Sequence, residues 1–260
     1  PARPRRSGPM PVSARPSPGP AKRGVARGGR AIYGAPLGIL MLDARFPRIP
    51  GDMGNAGTWP FPVLYKVVRG ATPGRVVLDG ARGLLPDFLD AAAELVRLGA
   101  EAITTNCGFL SLFQAELAAH AGVPVAASSL MQVPWAQAAL PPGKRVGVVT
   151  VCASSLTPAH LAAAGVPAGT PVAGTENGRE FFRVLVRAEK EDLDVDAAEQ
   201  DVLDAGRDLV ARHPEVGAIV LECTNMPPYA AALREAVGLP VHDIYSMVAW
   251  FHAGLRPRAF

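Results

Sequence analysis

The sequence predicts an α/β protein of two pseudo-symmetric halves, each a parallel sheet with its helices, and an active site in the cleft between them. Three observations predict it. Aliphatic runs of strand length alternate with stretches of helical spacing along the chain. Residues 102–131 align with 218–247 without a gap, and nine of the thirty pairs are identical, among them Ile103 with Ile219, Cys107 with Cys223, Leu117 with Leu233, Gly122 with Gly238, Pro124 with Pro240, Val125 with Val241 and Met131 with Met247. A turn sequence, PPGK at 141–144, falls between the two copies.

The elements follow in order. Residues 1–30 hold seven Arg, one Lys, no acid and seven prolines. Such a composition cannot bury a core, so it reads as a disordered tail. The whole chain carries a formal charge of +3, of which +8 lies in this tail, leaving −5 on the other 230 residues. The folded part is therefore acidic, and neither nucleic acid nor a membrane surface is an expected partner. LGILMLD (37–43) is the first strand, followed by an irregular stretch, ARFPRIPGDMGNAGTWPFP (44–62), long enough to act as a lid. Leu89, Ala92, Ala93 and Val96 mark a helix that Pro86 starts.

The first repeat comes next: AITT as a strand, Cys107, a helix ending at Gly122, and the run VPVAA. Residues 31–143 form the first half, whose C-terminal helix can cross over, and 144–260 form the second. There RVGVVTV (145–151) opens the sheet, Ala198, Val202, Ala205 and Leu209 mark a helix, and the charged stretch 187–201 reads as a solvated face. The second repeat runs AIVL, Cys223, a helix started by Pro227 and Pro228 and ended at Gly238, then LPVHD.

With 260 residues, 49% of them apolar, the chain can bury a full core. No run reaches the roughly 18 apolar residues of a membrane helix, no leader pattern opens the chain, and the expectation is a cytoplasmic protein with reduced thiols. Three cysteines and five histidines show no ligand spacing, so no metal is expected. Cys152 reads as a small buried hydrophobe.

Chemistry concentrates at the repeat. In parallel α/β sheets ligands bind beyond the carboxyl ends of the strands, where both Cys107 and Cys223 fall. Packed about a pseudo-twofold axis, the halves bring two thiols to one ligand, an acid and base pair for inverting a carbon. Thr105, Asn106, Thr224 and Asn225 flank the thiols as candidate donors to a substrate carboxylate. Thr150, Ser154 and Ser155 follow the strand of the second half and suit the same task. Asp43 either orients the substrate or Cys107, or caps the following turn. Asn55, Arg45 and Arg48 lie on the lid segment as weaker candidates.

With TTNCGF, LECTNM and LMLDARFPR, the chain from about residue 37 to 252 resembles the cofactor-independent racemases of the aspartate, glutamate and hydantoin racemase superfamily. The resemblance implies a two-thiol mechanism without a cofactor, acting on a small amino-acid or dicarboxylate substrate. Two departures stand out. Asn225 occupies the place where glutamate racemases carry His and aspartate racemases an acid, and the first motif reads Cys-Gly-Phe rather than Cys-Asn-Thr. The expectation is an amino-acid racemase acting on aspartate, glutamate or a related acid. The alternatives are a hydantoin racemase, a maleate-type isomerase or a ligand-binding protein without chemistry; the state of oligomerisation is left open.

Overall fold

Leu37, Ile39 and Met41 point to one face of the first strand and Leu40 and Leu42 to the other, and all are buried. A strand covered on both faces needs a continuous apolar run, which LGILML supplies. In the computed structural model, which describes residues 28–258, this strand, β1 (Leu37–Leu42), is central to a parallel sheet. Of the tail expected over 1–30, residues 1–27 lie outside the described residues.

The first sheet has the order β2-β1-β3-β4, with β2 at Val63–Val68, β3 at Ala102–Thr105 and β4 at Val125–Ala126. The second repeats that order as β6-β5-β7-β8, with β5 at Arg145–Thr150, β6 at Val172–Gly174, β7 at Val216–Leu221 and β8 at Val241–His242. All pairings are parallel. The two sheets bear out the expected fold class. β2 and β6 carry no repeat and no fully buried face, and sequence patterning did not mark them.

Helices α1 (Pro73–Val77), α2 (Leu85–Leu98) and α3 (Gln114–Ala121) belong to the first half, and α5 (Pro158–Ala163), α6 (Phe181–Leu185), α7 (Val195–Arg212) and α8 (Ala230–Val237) to the second; α4 (Val133–Ala139) and α9 (Ile244–Leu255) follow β4 and β8. The repeat spacing of 116 carries α3 onto α8 residue for residue, and Gly122 and Gly238 end them at φ +66° and +68°. Both are left-handed conformations that favour glycine. On α7 the buried stripe is Ala198, Val202, Ala205 and Leu209, as the spacing predicts.

Two details differ from expectation. The stripe of α2 is Phe88, Ala91, Ala92 and Leu95, so the helix is turned by about one residue and buries its one aromatic side chain. Asp201, read as part of a solvated face, is buried and accepts from the backbone N–H groups of Arg179, Glu180 and Phe181. Gly178 makes this fit, because a Cβ there would collide with the Asp201 carboxylate.

The halves exchange their closing helices. Gln137 of α4 accepts from Val146 N of β5 at 3.0 Å, which places α4 on the second sheet. Ile244, Met247 and Val248 of α9 pack on Leu37, Ile39 and Met41 of β1, in the first. Gln132 Nε2 donates to Asp243 O at 2.8 Å where the two crossings meet. The exchange fixes the halves against each other and so fixes the cleft.

Candidate active site

Each repeat leaves its strand, adds one residue, and reaches the cysteine. Cys107 and Cys223 are both buried free thiols, 8% and 7% exposed, and both line one small cavity of about 20 Å³ between the halves. That is room for about one water. A larger ligand enters only when the walls part.

The strand ends are tied across the cleft. Thr224 Oγ1 donates to Asn106 O at 2.5 Å, and Ser129 Oγ to Leu221 O at 2.6 Å. Gly108 lets the two thiol loops meet, since a Cβ there would strike the backbone and carboxylate of Glu222. Around the thiols the cavity is lined by Leu42, Phe46, Pro73, Val77, Phe109, Val151, Leu185 and Val186, with Arg48, Asn106, Glu222, Thr224 and Asn225 as its polar members.

The two sulfurs have different neighbours. Cys107 starts a 3-10 helix at Gly108–Phe113, and the backbone N–H groups of Phe109 and Leu110 point at its sulfur. Cys223 has one such amide, from Asn225, and its S–H donates to Asn225 Oδ1 at 3.5 Å. Asp52 sets that direction. Its Oδ2 accepts from Asn225 Nδ2 at 2.6 Å, and a carboxylate only accepts, so the amide oxygen must turn to the thiol. Asp52 Oδ1 in turn holds Arg48 at 3.2 Å, and the guanidinium lies 4.3 Å from the Phe46 ring centroid.

Burial pushes both thiols up, and the nearby Glu222 charge pushes them further; the backbone amides oppose this. Glu222 is fully buried. Burial raises its carboxyl to about 7 against the pull of Thr150 Oγ1, which donates to Oε2 at 2.7 Å, and of Val151 N–H. Its Oε1 has no hydrogen-bond partner among the described residues.

Of the residues singled out in the sequence, the structure brings Cys107, Cys223, Asn106, Thr224 and Asn225 to the cavity. Thr150 stands one step behind, on Glu222. Thr105 sits under the first thiol with its hydroxyl donating to Ala127 O at 2.7 Å. Four others lie away from the cavity. Asp43 accepts from Gly70 N at 3.0 Å, the capping alternative; Asn55 fastens the lid segment through Arg48 O at 2.7 Å; Ser154 and Ser155 contact the Cys152 sulfur at 3.3 and 3.2 Å. Arg48, a weaker candidate in the sequence, lines the cavity together with Phe46 and Glu222, which the sequence did not single out, and Asp52, also not singled out, stands behind Asn225. The repeat itself could have found Glu222, because it is the partner of Asn106 in the alignment. Among the described residues there is no cluster of three or more candidate metal ligands, and no helix is long and apolar enough to cross a membrane.

The Asp/Glu/hydantoin racemase family matches residues 79–251. A dimethylsulfoniopropionate lyase of Durusdinium sp. clade D is 31% identical over 232 residues, covering 86% of this chain and 76% of that protein. Dimethylsulfoniopropionate lyase 3 of Emiliania huxleyi is 33% identical over 222 residues, 80% of this chain, which spans 56% of that relative. The crystal structure of arylmalonate decarboxylase shares the fold, with a TM-score of 0.55 at 15% identity over 86% of this chain and 94% of that one.

Proposed function

The chain belongs to the Asp/Glu/hydantoin racemase family, and from that premise we propose that it is a lyase that cleaves dimethylsulfoniopropionate or a close sulfonium carboxylate. A thiolate in the cleft takes the proton α to the carboxylate. The electron pair forms the α,β double bond, the carbon to sulfur bond breaks, and dimethyl sulfide leaves neutral beside acrylate. The proton stays on the thiol and returns to solvent between turnovers.

The observation that carries this reading is the lining of the cleft. Apart from the thiol loops and Arg48 it is apolar, and Arg48, its one cation, is already paired with Asp52. A dicarboxylic amino acid brings three charges and needs a partner for each. A sulfonium carboxylate brings two, and elimination turns the sulfonium into a neutral sulfide, which an apolar wall favours over the charged ground state. The likeness to the dimethylsulfoniopropionate lyases supports the same substrate class.

One observation favours the second reading, an amino-acid racemase: both thiols are present on the same cavity. Elimination needs one base, inversion needs two. The unequal neighbours of Cys107 and Cys223 favour the one-base reaction.

The test is direct. Purified protein is given dimethylsulfoniopropionate and the headspace is assayed for dimethyl sulfide; in parallel, aspartate, glutamate and hydantoins in D2O are followed by proton NMR for loss of the α-proton signal. Sulfide release without exchange into amino acids is the expected result. Exchange and inversion of an amino acid without sulfide release would establish the racemase reading.

A further inference from the structure

Glu222 and Asn106 are the same position in the two halves. Asn106 N donates to Leu40 O at 2.9 Å and Glu222 N to Val149 O at 2.8 Å. Asn106 Oδ1 accepts from Leu42 N at 2.7 Å, and Glu222 Oε2 accepts from Thr150 Oγ1, at the end of β5, at 2.7 Å. One terminal atom of each side chain is thus anchored to the neighbouring strand. The other is left over: neither Asn106 Nδ2 nor Glu222 Oε1 has a hydrogen bond among the described residues, and both residues line the cavity between the thiols.

Resting on the proposed function only for a ligand that carries a carboxylate, we infer that Glu222 binds that carboxylate in its neutral form, its Oε1–H pairing with Asn106 Nδ2–H as a two-donor cradle. Removing the α-proton drives charge onto the carboxylate oxygens, and donors already aimed there stabilise it. The other side-chain donors are engaged. Thr105 and Thr224 donate to backbone carbonyls, and Asn225 Nδ2 is held by Asp52.

Charge points the same way. The groups facing Glu222 are Cys107 and Cys223, with Arg48 and Asp52 behind Asn225, and His160 and Tyr229 behind the two thiol loops. Arg48 is neutralised by Asp52. An ionised Glu222 would therefore meet an anionic ligand with no free cation between them, whereas the neutral acid attracts it. Burial leaves the neutral form half populated near pH 7, while it moves both thiols and Tyr229 upward and His160 downward, away from that point.

The experiment titrates acrylate and propionate into the full chain by calorimetry between pH 6 and 8.5, for wild type and Glu222→Gln, in two buffers of different ionisation heat. Glutamine keeps the acceptor for Val151 and Thr150 and presents a permanent donor to the cavity. Wild-type affinity should weaken roughly tenfold per pH unit above about 7, with close to one proton taken up per ligand at pH 8. Affinity of the Gln variant should be flat with pH, take up no proton, and exceed wild type at pH 8.5. Flat wild-type binding, absence of binding of either acid at pH 6, or a hundredfold loss in a folded Gln variant at pH 6 overturns the inference. Should the variant fail to fold, proton uptake by the wild type decides alone. Titratable binding without release of dimethyl sulfide leaves the cradle standing and removes the substrate assignment.

Discussion

The two halves offer the cleft one backbone and two chemistries. At a spacing of 116 residues, α3 superposes on α8 in sequence and each sheet has the same strand order, so each thiol leaves its strand at an equivalent point. The residues around that point do not repeat: Asn106 is matched by Glu222, Gly108 by Thr224 and Phe109 by Asn225. Backbone symmetry brings both thiols to one cavity, while the neighbours of the two sulfurs differ. Cys107 meets two amide donors, and Cys223 meets one amide and a carbonyl oxygen that Asp52 holds in place. Equal thiols suit reversible inversion, and unequal ones suit a reaction that runs through a single base.

The sharpest way to break this comparison is Cys107→Ser and Cys223→Ser, made singly. A hydroxyl ionises far less readily than a thiol of pKa about 8.5, so whichever cysteine is the base loses its function in its variant. Dimethyl sulfide release should fall about a thousandfold in one variant and no more than about tenfold in the other. An equal collapse of both would mean that the halves act as a matched acid and base, and inversion of an amino acid would become the better account.

Gly108→Ala and Thr224→Ala test the next layer, the pair of residues that follow the thiols. A Cβ at Gly108 collides with Glu222, so the alanine variant should lose about 1–3 kcal/mol from overpacking, and most of its turnover as the thiol loops separate. Thr224→Ala removes one hydrogen bond to Asn106 O and should cost about 1 kcal/mol. Urea melts of the two variants should rank in that order; the reverse ranking would show that the loops are not held by their close approach.

Much of this was legible beforehand, and the reason is the repeat. Apolar runs, helix-ending glycines and the cysteines are local features, and two copies confirm each other's boundaries, so β3, α3, β7, α8 and both thiols could be placed from sequence. What escaped is non-local. Asp52 lies in a segment without periodicity, and its importance comes only from its contact with Asn225, 173 positions along the chain. Glu222 looks like an ordinary polar strand end until the fold buries it completely. Asp43 follows the first strand and invites a functional reading, yet it accepts from Gly70 N, because the turn after β2 brings an unpaired amide to it. Residue type and position along a strand say where a site lies, and only the packing says which polar atoms remain free there.

Asp52→Asn probes the asymmetry more gently. With no carboxylate facing it, the Asn225 amide can turn over and present N–H rather than C=O to Cys223, which favours the thiolate. Iodoacetamide should then modify Cys223 severalfold faster at pH 8, measured in a Cys107→Ser background, while Cys107 in the reciprocal background keeps its rate. Equal acceleration of both would show that the change merely opens the cavity.

The smallest effect tests the symmetry itself. Gly122 and Gly238 end α3 and α8 at φ +66° and +68°, and neither has a heavy atom within 4 Å of where a Cβ would stand. Alanine at either site therefore meets no steric obstacle, only the cost of holding an L-residue in a left-handed conformation, about 1 kcal/mol. The two sites share no contact, so the single changes should be equal and the double variant should lose their sum. Equal costs in urea melts would establish that the repeat extends to energetics as well as shape. Should one glycine cost clearly more than the other, the halves differ in how firmly their helices are seated, and the looser half would be the one that moves when the cleft opens for its ligand.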